Sequence, residues 1–270
     1  PDWLVAEVEA TRKGLLTLLK NVILLENPMQ PGTFLPRFGM DETLSWRHLD
    51  SQAQEALRGL YEDYFHRRQE VLWMANAFRT LPALMRATRM LVFGEDLGFV
   101  PTCVPPVLHD LGLFGLRIQR MSAEPGAEFG DPANYPYMTV ASPSCHDTTT
   151  TRGWYEEDED RRLRFWNGVL GRKGPAPAVC TPAIVRDVVR QHVESSSCWA
   201  IFPLQDILAL SPKYVTRPAA EETINDPTNP KHYWRYRMHV YLEDVTRDIG
   251  LMTDLRAMLV SAGRAEDHRG

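Results

Sequence analysis

The chain has 270 residues, of which 44% are hydrophobic and 24% charged, with a formal net charge of −5; these proportions fit a soluble globular protein able to bury one large core or two modest ones. It has no Lys/Arg block to suit nucleic acid, and its longest apolar runs, residues 15–19 and 22–25, fall far short of the roughly 20 residues that cross a bilayer, so neither nucleic acid nor membrane is expected as a partner. Cys103, Cys145, Cys180 and Cys198 lie far apart, with no CxxC and no Cys/His grouping at zinc spacing, which implies reduced intracellular thiols and no metal site.

Pro1-Asp2-Trp3 carries neither an initiator Met nor a signal-peptide pattern and reads as a cut within something larger. Residues 3–25 place Trp3, Leu4, Val8, Leu15, Leu18, Leu19, Val22 and Ile23 at helical spacing. Asn27-Pro28 then breaks the helix, and Pro31-Gly32 continues a loop to about residue 38. A second helix is predicted over residues 50–78, capped by Asp50 or Ser51, and a short one over 81–88. From residue 90 the pattern changes to short apolar runs alternating with helices. Strands are predicted at 90–93, 116–119, 138–141 and 198–202, the last followed by the stretch 204–210, and helices at 105–111, 156–168, 182–192, 239–248 and 252–261. This alternation predicts parallel βαβ units, and four strands would supply half of an eight-stranded barrel. The polar, turn-rich stretch 212–230 reads as a long functional loop.

In an α/β barrel the chemistry sits on the loops at the C-terminal ends of the strands. Glu95 directly follows the run 90–93, and Asp147 follows 138–141 after Ser142-Pro143-Ser144-Cys145-His146. Glycosyl transfer needs one carboxyl that stays protonated until it meets the departing oxygen, together with carboxylates that stabilise an oxocarbenium-like state. Acids that follow strands are also frequent helix caps, so position alone leaves both readings open.

Gly94-Glu95-Asp96-Leu97-Gly98 resembles the Glu-Asp-Leu-Gly motif of glycoside hydrolase family 77. Ser144-Cys145-His146-Asp147-Thr148, with Trp154 beyond, resembles its His-Asp-Thr motif and the Gly-Trp that follows. Trp199-Ala200-Ile201-Phe202-Pro203-Leu204-Gln205-Asp206, Glu222-Thr223-Ile224-Asn225-Asp226-Pro227 and Trp234-Arg235-Tyr236-Arg237 continue in the same order, and similarity to the plant cytosolic type spans roughly residues 12–250. The resemblance implies an α/β fold, the C-terminal half of a TIM (β/α)8 barrel with an N-terminal helical segment. Residues 1–80 would be the end of a helical insertion and 81–270 the C-terminal part of the catalytic barrel. It also implies, against the alternative readings of a non-catalytic glucan-binding fragment or an α-amylase-type hydrolase, a retaining 4-α-glucanotransferase that moves an α-1,4-glucan or glucosyl unit from maltose or a maltooligosaccharide to a glucan acceptor. Such an enzyme needs no cofactor or metal, has α-glucan and maltose as its only implied partners, and works in the cytosol, with the plastid as the second compartment.

Carried over by position, Glu95 would be the general acid/base and Asp147 the carboxylate that grips sugar hydroxyls at the cleavage subsite. His146 would hydrogen-bond the same sugar, while Asn225 and Arg217 would lie in the late loop over the donor site. The family nucleophile, an Asp in a strand motif Arg-x-Asp-His, has no counterpart in the sequence; its strand would lie upstream of Pro1 and leave the piece inactive alone. Aromatic residues supply the other half of sugar recognition. Tyr135, Tyr137, Tyr155, Tyr233 and Trp234 fall near strand-end loops. Trp154, expected in a loop just after the His-Asp-Thr motif, reads as a substrate contact, whereas Trp199, within an apolar strand, reads as core.

Overall fold

In the computed structural model, which describes residues 2–266, the chain divides into two units. One comprises the residues up to Ala87 with Pro101–Val107; the other comprises Thr88–Val100 and the chain from Leu108 onward.

The first unit begins with α1 (Asp2–Lys20), whose apolar positions Trp3, Leu4, Val8, Leu15, Leu18 and Leu19 are all exposed. The stretch expected as a plain loop forms a hairpin, in which β1 (Leu24–Glu26) and β2 (Phe34–Pro36) pair antiparallel with Leu25 opposite Leu35. Gly32, at φ 81°, makes the turn that a side chain would oppose. After α2 (Leu44–Arg47), which buries Trp46, come α3 (Ser51–Asp63) and α4 (Gln69–Arg86). Asp50 caps α3 by accepting from the Ala53 N–H at 2.8 Å. A single π turn over Tyr64–Arg68 joins α3 to α4, so the two predicted helices are one run that continues through Pro82.

The second unit is mixed α/β. The last turn of α5 (Val104–Leu111), whose Val104–Val107 belong to the first unit, leads into β3 (Gly115–Ile118), which pairs in parallel with β4 (Thr139–Ser142); β4 pairs in parallel with β5 (Trp199–Ala200). The run expected as a strand at 90–93 contributes only a parallel bridge, Phe93 to Phe114. β4, with a neighbour on each side, is buried at every position, whereas edge strand β5 leaves Trp199 45% exposed. Trp199 is therefore not a core residue. Helices α6 (Thr151–Glu157), α7 (Glu159–Arg164), α8 (Pro182–Val193), α9 (Leu204–Leu208), α10 (Leu242–Thr246) and α11 (Ile249–Ser261) complete the unit. The helix expected over 156–168 starts earlier, because Thr150 caps α6 through the Gly153 N–H, and it breaks at Asp158, which caps α7 through the Arg161 N–H. Pro182 opens α8, where its missing N–H costs nothing. Ile184, Val185, Val188, Val189 and Val193 then form one helical face in a core with Trp154, Tyr155, Phe165, Trp166, Leu208, Tyr214 and Leu251. Among the described residues no helix is long and apolar enough to cross a membrane.

Two side chains outside the apolar set hold this unit together. Arg264 donates to the carbonyls of Val193 (2.5 Å), Ser195 (2.9 Å), Ser197 (2.7 Å) and Cys198 (3.2 Å), satisfying the acceptors left at the end of α8 and before β5. Removing four donors from carbonyls that cannot all reach water costs about 1–3 kcal/mol, so Arg264→Ala should lower the thermal midpoint by several degrees. His192 is fully buried, with Nδ1 on the Val188 carbonyl at 2.8 Å; burial pulls its pKa down from 6.5 to about 4. The unfolded chain therefore binds a proton that the folded one refuses. His192 contributes its full stability above pH 6.5 and loses that contribution as the pH falls from 6.5 towards 4. His192→Gln should flatten the fall in unfolding free energy over that window by up to one proton, about 1.4 kcal/mol per pH unit, as read from denaturant titrations at several pH values.

Candidate active site

Parallel pairing aligns the C-terminal ends of the bridge residue Phe93, β3, β4 and β5 along one edge of the sheet. Glu95 leaves that edge two residues beyond Phe93, and the 143–150 loop leaves it beyond Ser142. Alternation along the strands turns Leu116, Ile118, Val140 and Ser142 to one face. There, with Ile201, Phe202, Ile224 and His146, they line a mainly apolar cleft of about 410 Å³.

In Glu95-Asp96 the two acids take opposite environments. Asp96 is buried and accepts from the Leu116 N–H at 2.6 Å and from Arg117 Nη1 at 2.7 Å, fastening the 94–98 loop to β3. Glu95 is exposed and forms no hydrogen bond or ion pair among the described residues. Gly115 is what lets Asp96 approach, since a Cβ there would stand 2.8 Å from Asp96 Oδ2.

The 143–151 loop carries the second acid. Its tip is a tight turn in which the Thr148 N–H donates to the Cys145 carbonyl at 3.2 Å and Thr148 Oγ1 accepts from the Cys145 N–H at 3.0 Å. His146 Nε2 lies 3.1 Å from Asp147 Oδ2, and Asn225 Nδ2 donates to Asp147 Oδ1 at 2.5 Å. The exposed Trp234 ring lies 5.3 Å from the His146 ring, tilted by 49°. The structure thus brings together His146, Asp147 and Asn225, the last two 78 positions apart, and adds Trp234. Glu95 shares their edge of the sheet without touching them among the described residues.

Arg217 stands apart from this group. Its Nη2 donates to the Tyr236 hydroxyl at 2.9 Å and its Nη1 to the Arg237 carbonyl at 3.3 Å, with the guanidinium over the Tyr236 ring. Beside it, Arg152 Nη1 approaches Glu222 Oε2 at 3.1 Å, both side chains buried. Burial raises the Glu222 pKa against the pull of Arg152 and Arg217.

Trp154 requires correction. It lies in α6, not in a loop, and is only 8% exposed, edge-on to Phe129 and Phe165 and capped by the guanidinium groups of Arg120 and Arg161. Its ring faces are occupied by protein, so it is a core residue and no sugar platform. Tyr135 and Tyr155 are likewise buried, whereas Tyr137, Trp199, Tyr233 and Trp234 are exposed.

The sequence reading missed Asp206, in the first turn of α9, and Arg120, just after β3. Asp206 is 0% exposed; its Oδ2 accepts from Ser144 Oγ at 2.5 Å and its Oδ1 from the Thr151 N–H at 2.8 Å. Desolvation raises its pKa, opposed chiefly by those two donors. Arg120 donates to the carbonyls of Pro143 (3.2 Å) and Thr149 (2.6 Å). Burial lowers its pKa to about 10, so it keeps its proton at neutral pH. A charged residue beside an apolar strand was the sequence signal for both, but nothing local says that such a charge will be buried. Among the described residues no three His, Cys, Asp or Glu side chains gather as a metal site requires.

Comparison with known proteins places this arrangement. The family profile described as 4-alpha-glucanotransferase, glycoside hydrolase family 77, matches residues 3–243. The chain is 51% identical over 263 residues to the 4-alpha-glucanotransferase DPE2 of Oryza sativa subsp. japonica, covering 97% of this chain and 28% of the rice protein. It is 33% identical over 173 residues to a 4-alpha-glucanotransferase of Chlamydia caviae, covering 61% of this chain and 31% of that protein. The chain thus spans under a third of the length of these curated relatives. In fold it is similar to the amylomaltase of Streptococcus agalactiae solved with acarbose, with a TM-score of 0.53 at 20% identity over 70% of this chain and 35% of that one. With the profile match running over most of its length, the chain belongs to the 4-alpha-glucanotransferases of glycoside hydrolase family 77.

Proposed function

We propose that this chain carries the acid/base side of a retaining 4-α-glucanotransferase, and that it works as part of a longer enzyme whose nucleophile lies outside these 270 residues. The observation that carries the reading is the joint placement of Glu95 and the His146–Asp147–Asn225 group at the C-terminal edge of one parallel sheet. That edge is where a (β/α)8 barrel assembles its chemistry. On this reading the second unit is the C-terminal half of such a barrel, and the helical segment of residues 1–80 is the end of an insertion. The coverage of the rice relative, 28% of its length, supports the view that the chain is one portion of the enzyme.

The chemistry then divides by environment. Glu95, exposed and without a partner among the described residues, protonates the departing glycosidic oxygen and later takes the proton from the acceptor 4-hydroxyl. Asp147, fixed by Asn225, accepts hydrogen bonds from the hydroxyls of the sugar being cleaved. His146 donates to the same sugar, and Trp234 offers it an exposed aromatic face. Arg217, held by Tyr236, belongs to the wall of the donor site. The donor is maltose or a maltooligosaccharide and the acceptor a glucan, with the cytosol as the compartment that suits four free cysteines.

In the full-length enzyme, Glu95→Gln and Asp147→Asn should each lower glucosyl transfer from maltose by about 10²–10⁴-fold, measured as glucose released and chain length gained by the acceptor. Near-normal transfer by either variant would remove that residue from its role. Gly115→Ala tests the placement of Glu95 without touching it. The added Cβ drives Asp96 off its two donors, which should lower kcat about tenfold or more by freeing the 94–98 loop.

A further inference from the structure

The 143–151 loop has a tip, formed by the turn from Cys145 to Thr148, and two feet, where the chain leaves β4 and where it enters α6. Each foot is fastened from below by buried side chains of other elements. Asp206 takes Ser144 Oγ (2.5 Å) with one carboxylate oxygen and the Thr151 N–H (2.8 Å) with the other. Arg120 takes the Pro143 carbonyl (3.2 Å) on one foot and the Thr149 carbonyl (2.6 Å) on the other. A further bond within the first foot, Ser142 Oγ to the Ser144 carbonyl at 2.6 Å, stiffens the exit from β4.

We propose that Asp206 is the positioning residue of this site: by holding both feet of the loop with one carboxylate, it fixes where His146 and Asp147 stand over the cleft. The inference rests on the catalytic reading of Asp147 given above. Asp206 is fully buried, so it acts through Asp147 and meets no substrate. A carboxylate suits the task because it is acceptor-only and presents two oxygens at a fixed separation, matching one hydroxyl and one backbone N–H that approach from opposite ends of the loop. An aliphatic residue in that place would leave the Thr151 N–H buried and unpaired, and the loop would relax to find it a partner. A shift of about 1 Å at the tip is enough to lower the rate by about 10²-fold.

Asparagine separates geometry from charge. Its oxygen can accept from Thr151 while its NH₂ donates to Ser144, whose hydroxyl turns to accept. The experiment uses the full-length enzyme with maltose as donor, measuring kcat, KM and the thermal midpoint for Asp206→Ala, Asp206→Asn, Ser144→Ala and Asp147→Asn. Ser144 is 2% exposed and its alanine variant loosens one foot, deciding the matter if the Asp206 variants fail to fold; because Ser144 also lines the cleft, a lost substrate contact would show in KM. Asp206→Ala and Ser144→Ala should lower kcat by about 10–100-fold with KM changed less than about threefold, at temperatures where both remain folded. Asp206→Asn should recover at least about tenfold of the loss seen with alanine. A loss in KM alone, or folded alanine variants with kcat within about threefold of the parent, would overturn the proposal. Should Asp147→Asn abolish transfer while the loosened feet leave kcat intact, the positioning role alone is wrong; undiminished transfer by Asp147→Asn removes the catalytic reading and this inference with it.

Discussion

Parallel pairing is the constraint on which the rest of the second unit depends. When β3, β4 and β5 run the same way, every crossover must return to the N-terminal edge, and every loop that leaves a strand end gathers at the other. Glu95 and Asp147, distant in sequence, therefore reach one edge, and Asn225, which lies beyond α9 and leaves no strand end, joins them through its hydrogen bond to Asp147. The strands themselves are short; β5 is two residues long.

Each acidic motif resolves into an anchor and a working end. Asp96 is consumed by the backbone of β3 and by Arg117, and the price is a glycine at position 115. Glu95 next to it has no partner among the described residues. In the 143–151 loop the anchor is not the neighbour of the working acid but Asp206, fifty-five positions beyond Thr151. The shared logic is that an exposed carboxylate holds a fixed position only if the backbone beneath it has lost its freedom, and buried charge-assisted hydrogen bonds remove that freedom more firmly than apolar contacts, which have no direction.

The sequence marked the candidate acids more plainly than the architecture around them. Apolar periodicity places α8 and α11 to within a few residues, because a helix that buries one face must repeat its apolar positions every three or four residues. It misses the β1–β2 hairpin, whose strands are three residues each, too short to alternate visibly. It also overextends the strand expected at 90–93, since a short apolar run looks alike whether it forms a ladder or a single bridge. Trp154 was misplaced for a related reason. The Thr150 cap that starts α6 early is a local hydrogen bond, and once the helix begins there the indole turns inward. Asp206 was invisible because burial of a charge is decided by tertiary partners, here Ser144 and Thr151, and not by its own neighbours.

Burial of Asp206 and Arg120 needs a reason beyond stability. Enclosing ionisable groups has a desolvation cost, seen in the raised pKa of Asp206 and the lowered pKa of Arg120, and well-packed apolar side chains in such places are often neutral or stabilising. Here the two do not even pair directly; each spends its hydrogen bonds on the feet of one loop, and the attraction between them only softens the cost. A fold that needed nothing but a sealed core beneath β4 would be served as well by leucine and methionine. The arrangement makes sense if the position of the loop tip matters more than the stability given up to hold it, as it would for a carboxylate that must meet a sugar ring to within a fraction of an ångström.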